Sequence, residues 1–141
     1  MKDEAEALLE MYKVQVHRSE HYETQRAAVT NVIITLSAAL VALATFDNNL
    51  SRADFWNGFF IVLLGIFGWV ASRLHGARSR RHGERADEYR NELSNVLPDA
   101  GINEIRNRVA GKKTHLNRVW QWLHLAIITI GVLLSFLAVL R

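Results

Sequence analysis

The sequence predicts an all-α integral membrane protein, with three transmembrane helices and long cytoplasmic helical extensions. Three observations predict it. Three apolar stretches, 27–46, 55–72 and 119–140, each come close to the about 20 residues that a helix needs to cross a hydrocarbon core. None of them contains Lys, Arg, Asp or Glu. Charge is segregated instead: eleven of the 17 Lys and Arg lie between Arg73 and Arg118. The mean hydropathy of +0.02 averages over this alternation and by itself would describe a soluble chain. One such run is ordinarily a core helix of a soluble protein. Three of them in 141 residues leave no amphipathic layer to wrap them.

The elements follow in order within a single membrane domain, 1–141. Residues 1–26 read as a cytoplasmic lead-in helix: Gly and Pro are absent through Phe46, and good helix formers dominate the start. Leu8, Met11 or Tyr12, Gln15 and Tyr22 give it one modestly apolar face. From residue 3 onward, lead-in and first span (27–46) join into one helix, and its 44 residues reach ~66 Å, about twice the core thickness. Asp47, Asn48 and Asn49 stop it. In the outer loop, 47–54, Ser51 and Asp54 have the spacing of a capping box for the second helix. That helix spans at 55–72 and continues to about Leu97, with Ala86, Tyr89, Leu93 and Val96 at spacings of three and four. Its extension is placed to pack antiparallel against the lead-in. Pro98-Asp99-Ala100-Gly101 breaks it. A short helix with apolar Ile102, Ile105 and Val109 follows, Gly111 interrupts, and Lys112–Arg118 leads from the basic cytoplasmic section, 73–118, into the third span, 119–140.

Positive residues near membrane ends stay cytoplasmic. Four Lys and Arg precede the first span (Lys2, Lys13, Arg18, Arg26), only Arg52 lies in the outer loop, and eleven lie in 73–118. The N-terminus is therefore expected inside and the C-terminus outside. Trp56, Trp69, Trp120 and Trp122 fall near span ends, as interfacial anchors do. Asp3, Glu4, Glu6 and Glu10 occupy the start, where a signal peptide would carry cations, so insertion is expected to use the spans themselves. Without cysteine there is no disulfide or thiolate chemistry.

Helices in lipid associate through small residues and hydrogen bonds. In the first span Thr24, Ala28, Asn31, Thr35, Ala38, Ala42 and Thr45 follow a heptad seam. In the second, Gly58, Gly65 and Ser72 are seven apart, with Gly68 nearby. In the third, Gln121, His124, Ile128, Gly131, Ser135 and Ala138 alternate by three and four. These seams pack either within one protomer or between copies, where they would meet a partner or line a pore. Asn31, Thr35, Ala38, Ala42, Thr45, Gly58, Gly65, His124, Gly131 and Ser135 are the interface or pore candidates. An intramembrane amide such as Asn31 needs a partner, and His124 reads as a structural histidine rather than a proton relay.

His17, Glu20 and His21 match H-x-x-E-H, a zinc-peptidase pattern. They stand on an open charged helix, whereas a catalytic zinc needs a third protein ligand and an enclosed cleft. No metal, cofactor or catalytic residue is expected. The spans lack Asp and Glu, which argues against proton-coupled transport but not against a pore. Arg78, Arg80 and Arg81 read as topology determinants that touch anionic lipid, or as a site for a phosphate-bearing signal. Glu84, Asp87 and Glu88 dilute them, so nucleic acid is not an expected partner.

Two stretches carry a family resemblance. One is Met11-Tyr12-Lys13 followed by Tyr22-Glu23-Thr24-Gln25-Arg26 and the start of the span, Asn31-Val32-Ile33-Ile34-Thr35-Leu36. The other is the basic helix that ends Tyr89-Arg90-Asn91-Glu92-Leu93-Ser94-Asn95-Val96-Leu97-Pro98. Together with the layout they resemble small bacterial membrane proteins of conflict operons, the SLATT-like and related octamer-forming families. The third span departs from the two-span SLATT members. The resemblance implies a homo-oligomeric anti-phage effector that breaches the inner membrane when a cytoplasmic sensor partner is triggered. From the residues alone, a non-enzymatic pore and a membrane anchor or scaffold that recruits a soluble partner both remain open, with membrane lipids as partners in either case.

Overall fold

The computed structural model describes residues 2–46, 50–109 and 116–140. Among them every regular element is helical: α1 (Lys2–Thr45), α2 (Asp54–Val96), a 3₁₀ turn (Pro98–Ala100), α3 (Ile102–Val109) and α4 (Leu116–Val139). α1, α2 and α4 are each long and apolar enough to cross a membrane, which is compatible with a membrane location. Large apolar side chains such as Leu43, Phe60, Phe67, Trp122 and Phe136 point away from the protein on these helices, as lipid-facing residues do. The expected stop at 47–49 and the interruption at Gly111 fall outside the described residues.

Ser51 and Asp54 make half of the expected capping box. The Asp54 carboxylate accepts from the Ser51 backbone N–H at 2.8 Å and from the Ser51 hydroxyl at 2.9 Å. The Ser51 hydroxyl accepts no helix N–H among the described residues, and α2 starts at Asp54 itself. The Ser51 backbone bond, then its hydroxyl, hold the Asp54 pKa below the ordinary carboxylate value. At the other end, Gly101 takes φ 59° after the 3₁₀ turn, a left-handed conformation that suits glycine. Of the apolar residues expected on α3, Ile102 is half-buried and Ile105 is exposed.

Contacts divide the chain into two units, Met1–Thr24 with His75–His115 and Gln25–Leu74 with Leu116–Arg141. The first is built on an antiparallel pair formed by the start of α1 and the second half of α2. Ser19 Oγ donates to Ser79 O at 3.1 Å, Gln15 Oε1 lies 2.7 Å from His82 Nδ1, and Tyr22 stands against the His75 and His82 rings. Tyr12 rather than Met11 belongs to the packed face, and Ala86 and Leu93 are buried as the spacing predicts.

The second unit has its core at Ile33, Ala44, Ile61, Ile127 and Leu134. Here α2 and α4 approach at glycines. A Cβ on Gly131 would lie 2.8 Å from the Gly58 carbonyl oxygen and from the Val62 nitrogen, so only hydrogen fits. Ser135 Oγ donates to the Phe55 carbonyl at 3.3 Å along the same contact. The seams of the second and third spans therefore pack against each other inside one chain.

Candidate functional site

The first span behaves differently from the other two. Its packed face is Arg26, Thr30, Ile33, Ser37 and Ala44, all buried. The seam Thr24, Ala28, Asn31, Thr35, Ala38, Ala42 and Thr45 lies on the opposite side of α1 and is exposed at every position. Packing within the chain thus accounts for the seams of α2 and α4 and not for that of α1.

The polar groups of this seam are unequal. Thr24, Thr35 and Thr45 donate to the carbonyls four residues back, Glu20, Asn31 and Val41, at 3.0, 2.9 and 2.9 Å. Their hydroxyls are satisfied by their own helix, a common arrangement for Ser and Thr in apolar surroundings. The Asn31 carboxamide has no partner among the described residues. Beside the seam, a groove of 470 Å³ opens between α1 and α4, lined by Ser37, Ala38, Ala42, Leu123, Ile127 and Ile130. Ser37 Oγ is buried there without a hydrogen-bond partner.

His124 is fully buried. Its Nε2 lies 3.4 Å from Thr30 Oγ1, and its ring occupies the space that a side chain on Gly68 would need. Arg26 is buried one turn before Thr30, with its guanidinium carbon 5.4 Å from the Trp120 ring centroid. Thr30, Gly68 and Arg26 were not among the sequence-derived sites. Only a histidine at a seam position signalled that polar partners had to be near it.

His17 and His21 are both exposed on α1, and among the described residues no group of three His, Cys, Asp or Glu side chains is placed to hold a metal. We expect His17→Ala with His21→Ala to leave the protein's activity intact. Stoichiometric zinc in the purified protein, lost together with activity in that double variant, would overturn this.

Arg78, Arg80 and Arg81 are exposed on α2. The Arg78 guanidinium sits 5.8 Å from the Tyr22 ring centroid, and Tyr22 in turn stacks on His82 with centroids 5.5 Å apart and planes at 12°. His82 titrates below the ordinary histidine value, first because burial disfavours the imidazolium and then because Arg18 and Arg85 are close by. Tyr22, Arg18 and Arg85 join this cluster only through the pairing of α1 with α2.

No protein-family model, characterised protein or solved structure matches the chain.

Proposed function

We propose that this chain is a non-enzymatic effector of a bacterial inner membrane, which assembles side by side with copies of itself and forms or gates a pore. In this reading the N-terminus is cytoplasmic, the C-terminus is periplasmic, and a cytoplasmic sensor triggers the assembly in anti-phage defence. The observation that carries it is the outward seam of α1, with the unpartnered Asn31 amide among its small residues. In hydrocarbon a polar group without a partner is costly. A second copy supplies that partner, and small residues let the backbones approach. The groove that shares Ala38 and Ala42 with the seam offers room for a neighbour's side chains. Three helices have too little interior to enclose a channel easily, so in this reading the opening belongs to the ring. The charge bias and the family resemblance support the orientation and the defence role.

The test is a voltage-sensitive dye in cells that overproduce the protein, with ion flux from reconstituted vesicles. We expect depolarisation and growth arrest, and a reduced leak when Ala38 or Ala42 is replaced by Leu. If both assays stay silent while the protein is folded and oligomeric, the pore reading fails and a membrane scaffold that recruits a soluble partner takes its place.

A further inference from the structure

The first unit carries a charged surface that the pore reading does not use. On α2, Arg78, Arg81 and Arg85 are spaced three and four apart and therefore share one flank of the helix. All three are exposed. Arg18, on α1, is exposed as well and lies near enough to His82 for its charge to be felt there, as does Arg85. The stacked rings of Tyr22 and His82 form the floor, with the Arg78 guanidinium over Tyr22.

Glu84 and Glu88 dilute this positive charge, but among the described residues no ion pair takes it up. None of the four arginines has a carboxylate within ion-pair distance among the described residues. Asp87, also on α2, is taken by Arg90 at 2.7 Å and Arg106 at 3.5 Å. The helix neighbours of Arg18 are Val14, Gln15, His21 and Tyr22, and those of Arg78 are Leu74, His75, Arg81 and His82, with no acid in either set. Glu84 and Glu88 flank Arg81 and Arg85 three residues on, yet close no ion pair with them. Like charges three and four apart on a helix repel. An anion laid across them removes that repulsion. Guanidinium forks match phosphate oxygens in geometry and charge better than any other side chain does.

We propose that Arg18, Arg78, Arg81 and Arg85, set around the stacked Tyr22 and His82 rings, form a binding site for phosphate groups. Two sources offer that chemistry. Arg78 lies six residues beyond Ser72 in the sequence and Arg85 thirteen. A lipid headgroup phosphate reaches the near end of the row, and a soluble polyphosphate covers all of it. His82 reports on either. Its Nδ1 donates to Gln15 Oε1, which leaves Nε2 to take the second proton. An anion that offsets the Arg18 and Arg85 charges must raise the His82 pKa by linkage. The inference does not depend on pore formation, and its readout is independent of leak.

The experiment follows the His82 ring resonance, assigned with His82→Gln, through a pH titration of the full chain. One arm uses detergent micelles with inorganic pyrophosphate. The other uses nanodiscs of phosphatidylcholine against phosphatidylglycerol without pyrophosphate. A rise in the His82 pKa with pyrophosphate identifies a free phosphate as the ligand, and a rise only in phosphatidylglycerol identifies the headgroup. Either supports the site. Arg78→Gln with Arg85→Gln should weaken binding about tenfold or more, as expected for loss of charge-assisted hydrogen bonds. Arg78→Lys with Arg85→Lys should retain part of it, and Arg106→Gln should change nothing. A His82 pKa that moves in neither arm overturns the proposal, as does a shift that persists at full strength in the Arg78→Gln, Arg85→Gln variant.

Discussion

Gly131→Ala should lower the thermal midpoint of the protein in mild detergent, whereas Gly83→Ala should raise it. Both changes add one methyl group to a long helix, and both gain about 0.5–1 kcal/mol from the better helix propensity of alanine. Their surroundings differ. The new Cβ at Gly131 would lie 2.8 Å from the carbonyl oxygen of Gly58 and the nitrogen of Val62, and backbone atoms of a packed helix cannot swing aside as side chains do. α2 and α4 must separate, which opens the contact along their whole glycine seam. Overpacking of this kind costs about 1–3 kcal/mol, which exceeds the propensity gain. At Gly83 the nearest atom is Ser19 Oγ at 4.0 Å, an ordinary contact, so the gain stands alone. Thermal unfolding of the three proteins checks the sign of each shift. Equal stabilisation by both substitutions would mean that α2 and α4 do not meet at Gly58 and Gly131.

Asn31→Leu should shift the protein toward smaller assemblies in native mass measurements across a detergent dilution series. An interhelical hydrogen bond in lipid is worth about 0.6–2 kcal/mol, or roughly three- to thirty-fold in the association constant of each contact. Thr35→Val makes the contrast. Its hydroxyl is already bound to the Asn31 carbonyl at 2.9 Å, so its removal should leave the assembly unchanged. If Asn31→Leu lowers thermal stability and leaves the mass distribution as it was, the amide serves its own chain. The outward seam then has no role in assembly.

Much of the fold is legible in the pattern of residues. The three apolar stretches correspond to the second half of α1, the first half of α2 and α4, and the proline and glycine at 98 and 101 end α2 where their chemistry requires. The glycine seams of the second and third spans are legible for a specific reason. Glycine in a long apolar helix has little use other than close approach, so Gly58 and Gly131 indicate a packed face before any partner is known. Along α2 the packed positions Gly58, Ile61, Gly65, Gly68 and Ser72 continue in the same three-four register through Ser79, Ala86 and Leu93.

The first span resists the same treatment because it holds two heptad registers of similar chemistry. One is Thr24, Ala28, Asn31, Thr35, Ala38, Ala42 and Thr45. The other is Arg26, Thr30, Ile33, Ser37 and Ala44. Each mixes small, hydroxylated and strongly polar residues, and in lipid either can serve as a packing face. Local pattern therefore leaves the choice open. The partners decide it: His124 needs a hydrogen-bonding neighbour and finds Thr30, Gly68 leaves room for the imidazole, and Trp120 covers Arg26. Those contacts turn the Asn31 register outward.

The cationic cluster at Tyr22 follows the same logic. Residues 78, 80 and 81 are visible as a basic run, but Arg80 lies on another flank from Arg78 and Arg81, and Arg18 joins only when α1 pairs with α2. By itself the sequence determined the all-helical class, the number and limits of the apolar stretches, and the glycine faces of α2 and α4. Each depends on composition and spacing within one segment. The tertiary structure alone decided which face of α1 is inward, what surrounds His124, and which arginines stand together. Those depend on residues 56 to 94 apart in the sequence meeting across helices, and no periodicity within a single helix encodes such a meeting.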